Sequence, residues 1–80
     1  MSFGAKLAMY RRRVGITQET LAVRIGIHMQ SVTDLERGKF KPRLTTFARI
    51  RDALNLSQDE TSDLLAALLE EANQAIEPGR

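Results

Sequence analysis

Apolar residues recur at helical spacing in five stretches of this chain, each bounded by residues that start or stop a helix. Phe3, Leu7, Tyr10 and Val14 fall at i, i+4, i+7 and i+11, which predicts a helix over about 3–13. Ser2 is placed to cap it, Gly15 to end it, and Ile16 returns to the core. Leu21, Ala22 and Ile25 share one face of a second helix, 18–25, behind Thr17 as N-cap. Val32, Leu35 and Glu36 repeat that geometry in a third, closed by Gly38. Leu44, Phe47, Ile50, Arg51 and Leu54 give a fourth over about 44–54, with Asn55 as a glycine-like stop and Leu56 turning inward. Ser57-Gln58-Asp59-Glu60 is a capping box that launches a fifth, from about 58 to 76, ended by Pro78-Gly79. The expected fold is therefore all-α, a compact five-helix bundle.

The second and third helices meet at a distinctive corner. Ala22 is small where two crossing helices come closest, Gly26 can take the positive φ of a sharp turn, and Ile27 plugs the corner. Small, glycine, apolar and β-branched at this spacing describe a helix-turn-helix, whose second helix is the one offered to the DNA major groove. With Val32, Leu35 and Glu36 facing inward, its outward face is Met29, Gln30, Thr33, Asp34 and Arg37. Gln30 suits a bidentate contact to adenine N6 and N7, and Met29 and the Thr33 methyl suit a thymine methyl. Asp34 fits either an acceptor for cytosine N4 or a partner that orients Arg37. Ser31 faces sideways, to donate to phosphate or to pack. So few fixed donors leave room for specificity through DNA shape. Gln18, at the start of the second helix, adds a donor where backbone N–H groups already favour phosphate; plain helix-start chemistry is its alternative. Lys39-Phe40-Lys41-Pro42-Arg43 follows the third helix, and Lys39, Lys41 and Arg43 are placed for phosphates unless the loop is merely solvated. Phe40 is either a core plug or an exposed ring.

Eighty residues form one domain, and 42% apolar residues suffice for a small aliphatic core. There is no cysteine and a single histidine, so neither a disulfide framework nor a metal cluster is expected, and no cofactor. A nucleophile with base and orienter is missing, as is a Gly-rich phosphate loop, so an enzyme is not expected. Apolar runs fall short of the ~20 residues that span a bilayer, and the first residues are too weakly apolar for a secretory signal. The expected setting is a bacterial or phage cytoplasm, at the nucleoid. Net charge is only +2, but it is unevenly spread. Residues 1–43 carry nine Lys/Arg against three acids, a net +6, and residues 44–80 three Arg against seven acids, a net −4. The first half is suited to a polyanion.

Gly15-Ile16-Thr17-Gln18-Glu19-Thr20-Leu21-Ala22, then Gly26-Ile27, then Val32-Thr33-Asp34-Leu35-Glu36-Arg37-Gly38, then Pro42, resembles the Xre/Cro-type helix-turn-helix family over about 6–57. That family includes phage repressors, restriction-modification controller proteins and many small bacterial regulators. The resemblance implies a bundle of the phage-repressor DNA-binding type. It implies an ion pair between Arg11 and Glu36, with a phosphate contact as the alternative role of Arg11. Arg12 and Arg13 are expected to be solvated, with Arg13 the better placed of the two to reach the DNA backbone. His28 stands at the N-cap of the recognition helix, where the family usually has Ser or Thr; it caps through its imidazole, touches a phosphate or is solvated. The implied function is sequence-specific binding of double-stranded DNA by a transcriptional regulator, a repressor acting as a homodimer on a palindromic operator. The fifth helix, ~28 Å long, exceeds what the bundle needs. Its stripe of Leu64, Leu65, Leu68, Leu69, Ala72 and Ile76 is the expected dimer surface. Two alternatives remain at this point. One is an antitoxin whose acidic C-terminal helix grips a basic protein partner, and the other is an interaction scaffold with the same fold.

Overall fold

The computed structural model describes residues 1–75, with side chains to residue 72. Its helices are α1 (Phe3–Val14), α2 (Gln18–Ile25), α3 (Met29–Arg37), α4 (Leu44–Ala53) and α5 (Gln58–Ala75). Three of the starts are capped by side chains as their sequences predict. Ser2 Oγ accepts from the Ala5 N–H and Thr17 Oγ1 from that of Thr20, at 3.1 and 3.0 Å. Ser57 Oγ accepts from the Glu60 N–H while Glu60 Oε1 accepts from the Ser57 N–H, the reciprocal bonds of a capping box. His28 and Arg43 occupy the N-cap positions of α3 and α4 without a side-chain cap bond. The imidazole cap expected of His28 is thus not made; its ring is exposed.

Four helix ends close in one way. Gly15, Gly26, Gly38 and Asn55 each adopt a left-handed conformation. The following N–H then bonds back to a carbonyl five residues earlier: Ile16 to Arg11, Ile27 to Ala22, Lys39 to Asp34 and Leu56 to Arg51. Ile16, Ile27 and Leu56 press against the core, whereas Lys39 is exposed.

The core joins Phe3, Leu7 and Tyr10 of α1 with Leu21, Ala22 and Ile25 of α2 and Val32 and Leu35 of α3. Phe47 and Ile50 of α4, then Leu54, and Leu64 and Ala67 of α5 complete it. The Phe3 and Phe47 rings lie 6.4 Å apart, tilted by 34°, and so link the first helix to the fourth. α1 packs on α3 and α5, and α2 on α3 and α4. Three positions expected on inward stripes lie outside. Val14 sits at the last turn of α1, 45% exposed, and Leu44 at the first residue of α4, 77% exposed. Each is one turn beyond the packed face of its helix. Arg51 points to solvent, where it bonds Asp52 at 2.9 Å.

Gly4 marks the tightest approach. A Cβ there would fall on the Glu36 carbonyl and 2.7 Å from that of Leu35, so only glycine lets α1 lie against the last turn of α3. Along its other side, α1 runs antiparallel to α5 through a polar seam. Lys6 and Tyr10 both bond Asp63, and Arg13 bonds Glu60 while its guanidinium stacks 4.9 Å from the Tyr10 ring centre. At the far end Glu71 accepts from the Phe3 N–H at 3.0 Å, an anion at a helix N-terminus. α5 is therefore fastened to α1 at both ends. Leu64 is fully buried in this core, so it is not available to a partner, contrary to its expected place on a dimer surface. Leu65 and Leu68 are half-buried, Leu69 and Ala72 exposed, and Ile76 lies outside the described residues.

The seam carries a pH signature. Hydrogen bonding to Asp63, with burial, pushes the Tyr10 hydroxyl up from 10.0 to about 12. A folded-state pKa above the unfolded one gives stability that is present below the unfolded value and lost as pH rises through the folded one. Asp63 moves the opposite way, held below its ordinary value by Lys6 first and Tyr10 second, so its contribution is lost on acidification. Tyr10 is the single tyrosine of the chain, so its phenolate absorbance reports the seam directly. The native midpoint is expected near 12, against about 10 in urea, and Asp63→Ala is expected to move the native midpoint towards the unfolded one.

Candidate nucleic-acid interface

The outward helix α3 is positioned from behind by a buried polar cluster. Arg11, only 8% exposed, projects from the last turn of α1. Its Nε donates to Glu36 Oε2 at 2.6 Å and its Nη2 to Oε1 at 3.1 Å, a two-pronged grip on a carboxylate whose side chain is 6% exposed. Nη1 donates to the Ile16 carbonyl at 2.8 Å, so the same guanidinium also holds the turn between α1 and α2. Gln18, the first residue of α2, donates through Nε2 to Glu36 Oε1 at 2.9 Å and accepts from the Thr33 hydroxyl at 2.7 Å. Three helices thus meet on Glu36. Among the described residues, no buried side-chain nitrogen or oxygen lacks a partner.

Above this cluster α3 presents Met29, Gln30 and Arg37 to solvent, with Thr33, Asp34 and Ser31 partly exposed beside them. Thr33 has committed its hydroxyl to Gln18, which leaves its methyl as the group to offer outward. Asp34 accepts from Gln30 Nε2 at 3.0 Å, one helical turn back, and not from Arg37. Lys39, Lys41 and Arg43 follow, all exposed. Lys41 lies 3.7 Å from Glu71, while Arg37, Lys39 and Arg43 form no ion pair among the described residues. His28 stands exposed at the opposite end of α3. Phe40 is 44% exposed and lines a pocket with Ile27, Leu35 and Pro42, between the two alternatives for its ring.

Two expected phosphate ligands sit elsewhere. Arg13 is drawn to Glu60 and Tyr10 on the α1–α5 seam, away from α3. Gln18 has its amide engaged at both ends inside the cluster. Three participants are missing from the sequence reading: Gly4, Glu71 and the pairing of Gln30 with Asp34. The last was available as a polar pair at i, i+4. The other two depend on how α1 meets α3 and α5, which no local spacing encodes.

Removing the carboxylate tests the cluster. Glu36→Ala strands a buried guanidinium and unpairs Gln18, an expected loss of about 3–5 kcal/mol in urea unfolding. Replacing both partners, as Arg11→Met with Glu36→Leu, is expected to cost far less, because no charge is left unpaired.

A family model described as a helix-turn-helix domain matches residues 2–64. A Methanothermobacter thermautotrophicus protein described as an HTH-type transcriptional regulator is 42% identical over 45 residues, 56% of this chain; the chain spans just under two thirds, 65%, of that relative. The HTH-type transcriptional regulator y4dJ of Sinorhizobium fredii is 37% identical over 57 residues, 71% of this chain and 74% of that one. YazB of Bacillus subtilis, also described as an HTH-type transcriptional regulator, is 33% identical over 72% of this chain and 84% of its own. The crystal structure of the clp gene regulator ClgR from C. glutamicum superposes with a TM-score of 0.71 at 26% identity, over 86% of each chain. The corner at Gly26 of this chain, the buried brace behind its α3 and these likenesses agree: the chain belongs to the helix-turn-helix family of transcriptional regulators.

Proposed function

We propose that this protein binds double-stranded DNA sequence-specifically, with α3 in the major groove, and represses transcription as a dimer on a palindromic operator. The observation that carries the reading is the face of α3 itself. It bears exposed groups able to meet base edges, it is held from behind, and Lys39 and Arg43, which make no ion pair among the described residues, follow it. On this reading Gln30 is the main base-reading residue, with Met29, the Thr33 methyl and Arg37 beside it. Arg37, Lys39, Lys41 and Arg43 grip the sugar-phosphate walls, with Ser31 and His28 at the flanks. Gln18 acts from inside, as a brace of α3, and Arg13 acts at the surface, as a link to α5.

A single module reaches one half-site, and a two-fold dimer sets two recognition helices about 34 Å apart. Leu69, 59% exposed, together with Ala72 and the outer edges of Leu65 and Leu68, forms an apolar stripe on α5 that suits self-association. Glu60, Asp63 and Glu71 are engaged by α1 and Lys41, while Asp59 and Glu70 stay exposed. The apolar stripe favours a second copy of α5 over a basic toxin as the partner of this helix.

Two measurements check these statements. Lys39→Ala, Lys41→Ala and Arg43→Ala should each weaken binding to all duplexes alike and lower the slope of log affinity against log salt by about 0.9. In sedimentation equilibrium Leu69→Glu should convert a dimer to a monomer with unchanged helix content; a dimer that survives it removes α5 as the interface.

A further inference from the structure

An acid on the face offered to a polyanion needs a reason, and the structure supplies one. Asp34 is not paired with Arg37; it accepts a hydrogen bond from the Gln30 amide nitrogen at 3.0 Å across one turn of α3. A carboxylate can only accept, so the nitrogen end of the amide must face it, and the carbonyl end must face away. The amide nitrogen carries two hydrogens, and Asp34 takes one. What Gln30 has left is one N–H and one carbonyl oxygen.

Those two groups match adenine, which shows an acceptor at N7 and a donor at N6 on its major-groove edge. Guanine shows two acceptors, N7 and O6, and would need both amide hydrogens. With one of them held by Asp34, the carbonyl oxygen of Gln30 would instead face guanine O6, acceptor against acceptor. We infer that Asp34 is a positioning residue that fixes the Gln30 amide so that it accepts adenine and rejects guanine. The inference rests on α3 lying in the major groove as proposed above. Its cost is electrostatic: a negative charge near the phosphates lowers affinity for every sequence. Specificity is thereby gained against both a competing base and total affinity.

The test selects bound duplexes from a random pool with wild-type protein, Gln30→Ala, Asp34→Ala, Asp34→Asn and the Gln30→Ala, Asp34→Ala double variant. Both side chains are on the solvent side of α3, and circular dichroism checks that each variant stays helical. The position whose preference collapses in Gln30→Ala is the one Gln30 reads, and wild type should select adenine there. Asp34→Ala should raise affinity for unrelated duplexes and reduce the adenine-to-guanine ratio at that position about tenfold or more. Asp34→Asn removes the same charge but keeps an acceptor, so it should match the gain in affinity while retaining more of the discrimination. In the Gln30→Ala background, Asp34→Ala should change affinity alone. A selected motif whose adenine-to-guanine ratio is untouched by Asp34→Ala overturns the inference and leaves DNA binding standing. So does a motif with a base other than adenine at the Gln30 position. Failure to select any motif overturns the DNA-binding reading, and the inference falls with it.

Discussion

Everything on the outer face of this protein depends on one buried carboxylate. Glu36 receives two bonds from Arg11 and one from Gln18, and Gln18 in turn accepts from Thr33. Taking two charges out of water is costly, and a buried ion pair of this kind adds little to net stability compared with a well-packed apolar pair. What it adds is a unique arrangement. An apolar contact between α1 and α3 would tolerate sliding or rotation, whereas a forked guanidinium on a carboxylate satisfies its donors in one geometry only. Gly4 works to the same end, since α1 can approach the last turn of α3 only where no Cβ intervenes. The result is a helix whose outward side chains are aimed before any ligand arrives.

The polarised charge of the chain acquires its meaning from the same packing. Three of the seven acids of the second half are engaged by α1: Glu60, Asp63 and Glu71 answer its cations, its phenol and its N-terminus. They neutralise Lys6 and Arg13 on the side of α1 turned towards α5. Arg37 at the end of α3, and Lys39 and Arg43 just after it, form no ion pair among the described residues. The sequence shows a basic half and an acidic half; the fold joins part of each along the contact of α1 with α5.

Local chemistry explains most of what was legible beforehand. Capping at Ser2, Thr17 and Ser57 and stops at Gly15, Gly26, Gly38 and Asn55 involve atoms a few residues apart, so the helix limits follow from spacing alone. The core stripes follow likewise, except at helix ends such as Val14 and Leu44, where periodicity continues but the neighbouring helix does not. The Arg11–Glu36 pair came from the resemblance, since 25 residues separate its partners and no periodicity connects them. The same limit hid the double engagement of Gln18, which from the sequence looks like a free amide at a helix start. Leu64 was misplaced for a different reason. A stripe wider than one seam says that a helix has two apolar borders, but not which border its own domain covers.

One of the four matching helix ends stands apart in the residue that follows its left-handed position. Ile16, Ile27 and Leu56 nail three of the turns to the interior, so deforming those turns would drag apolar groups into water. After α3 the corresponding residue is Lys39, which has no such anchor. The turn after α3 thus spends no apolar group on the core at this position and sets a cation at the surface in its place.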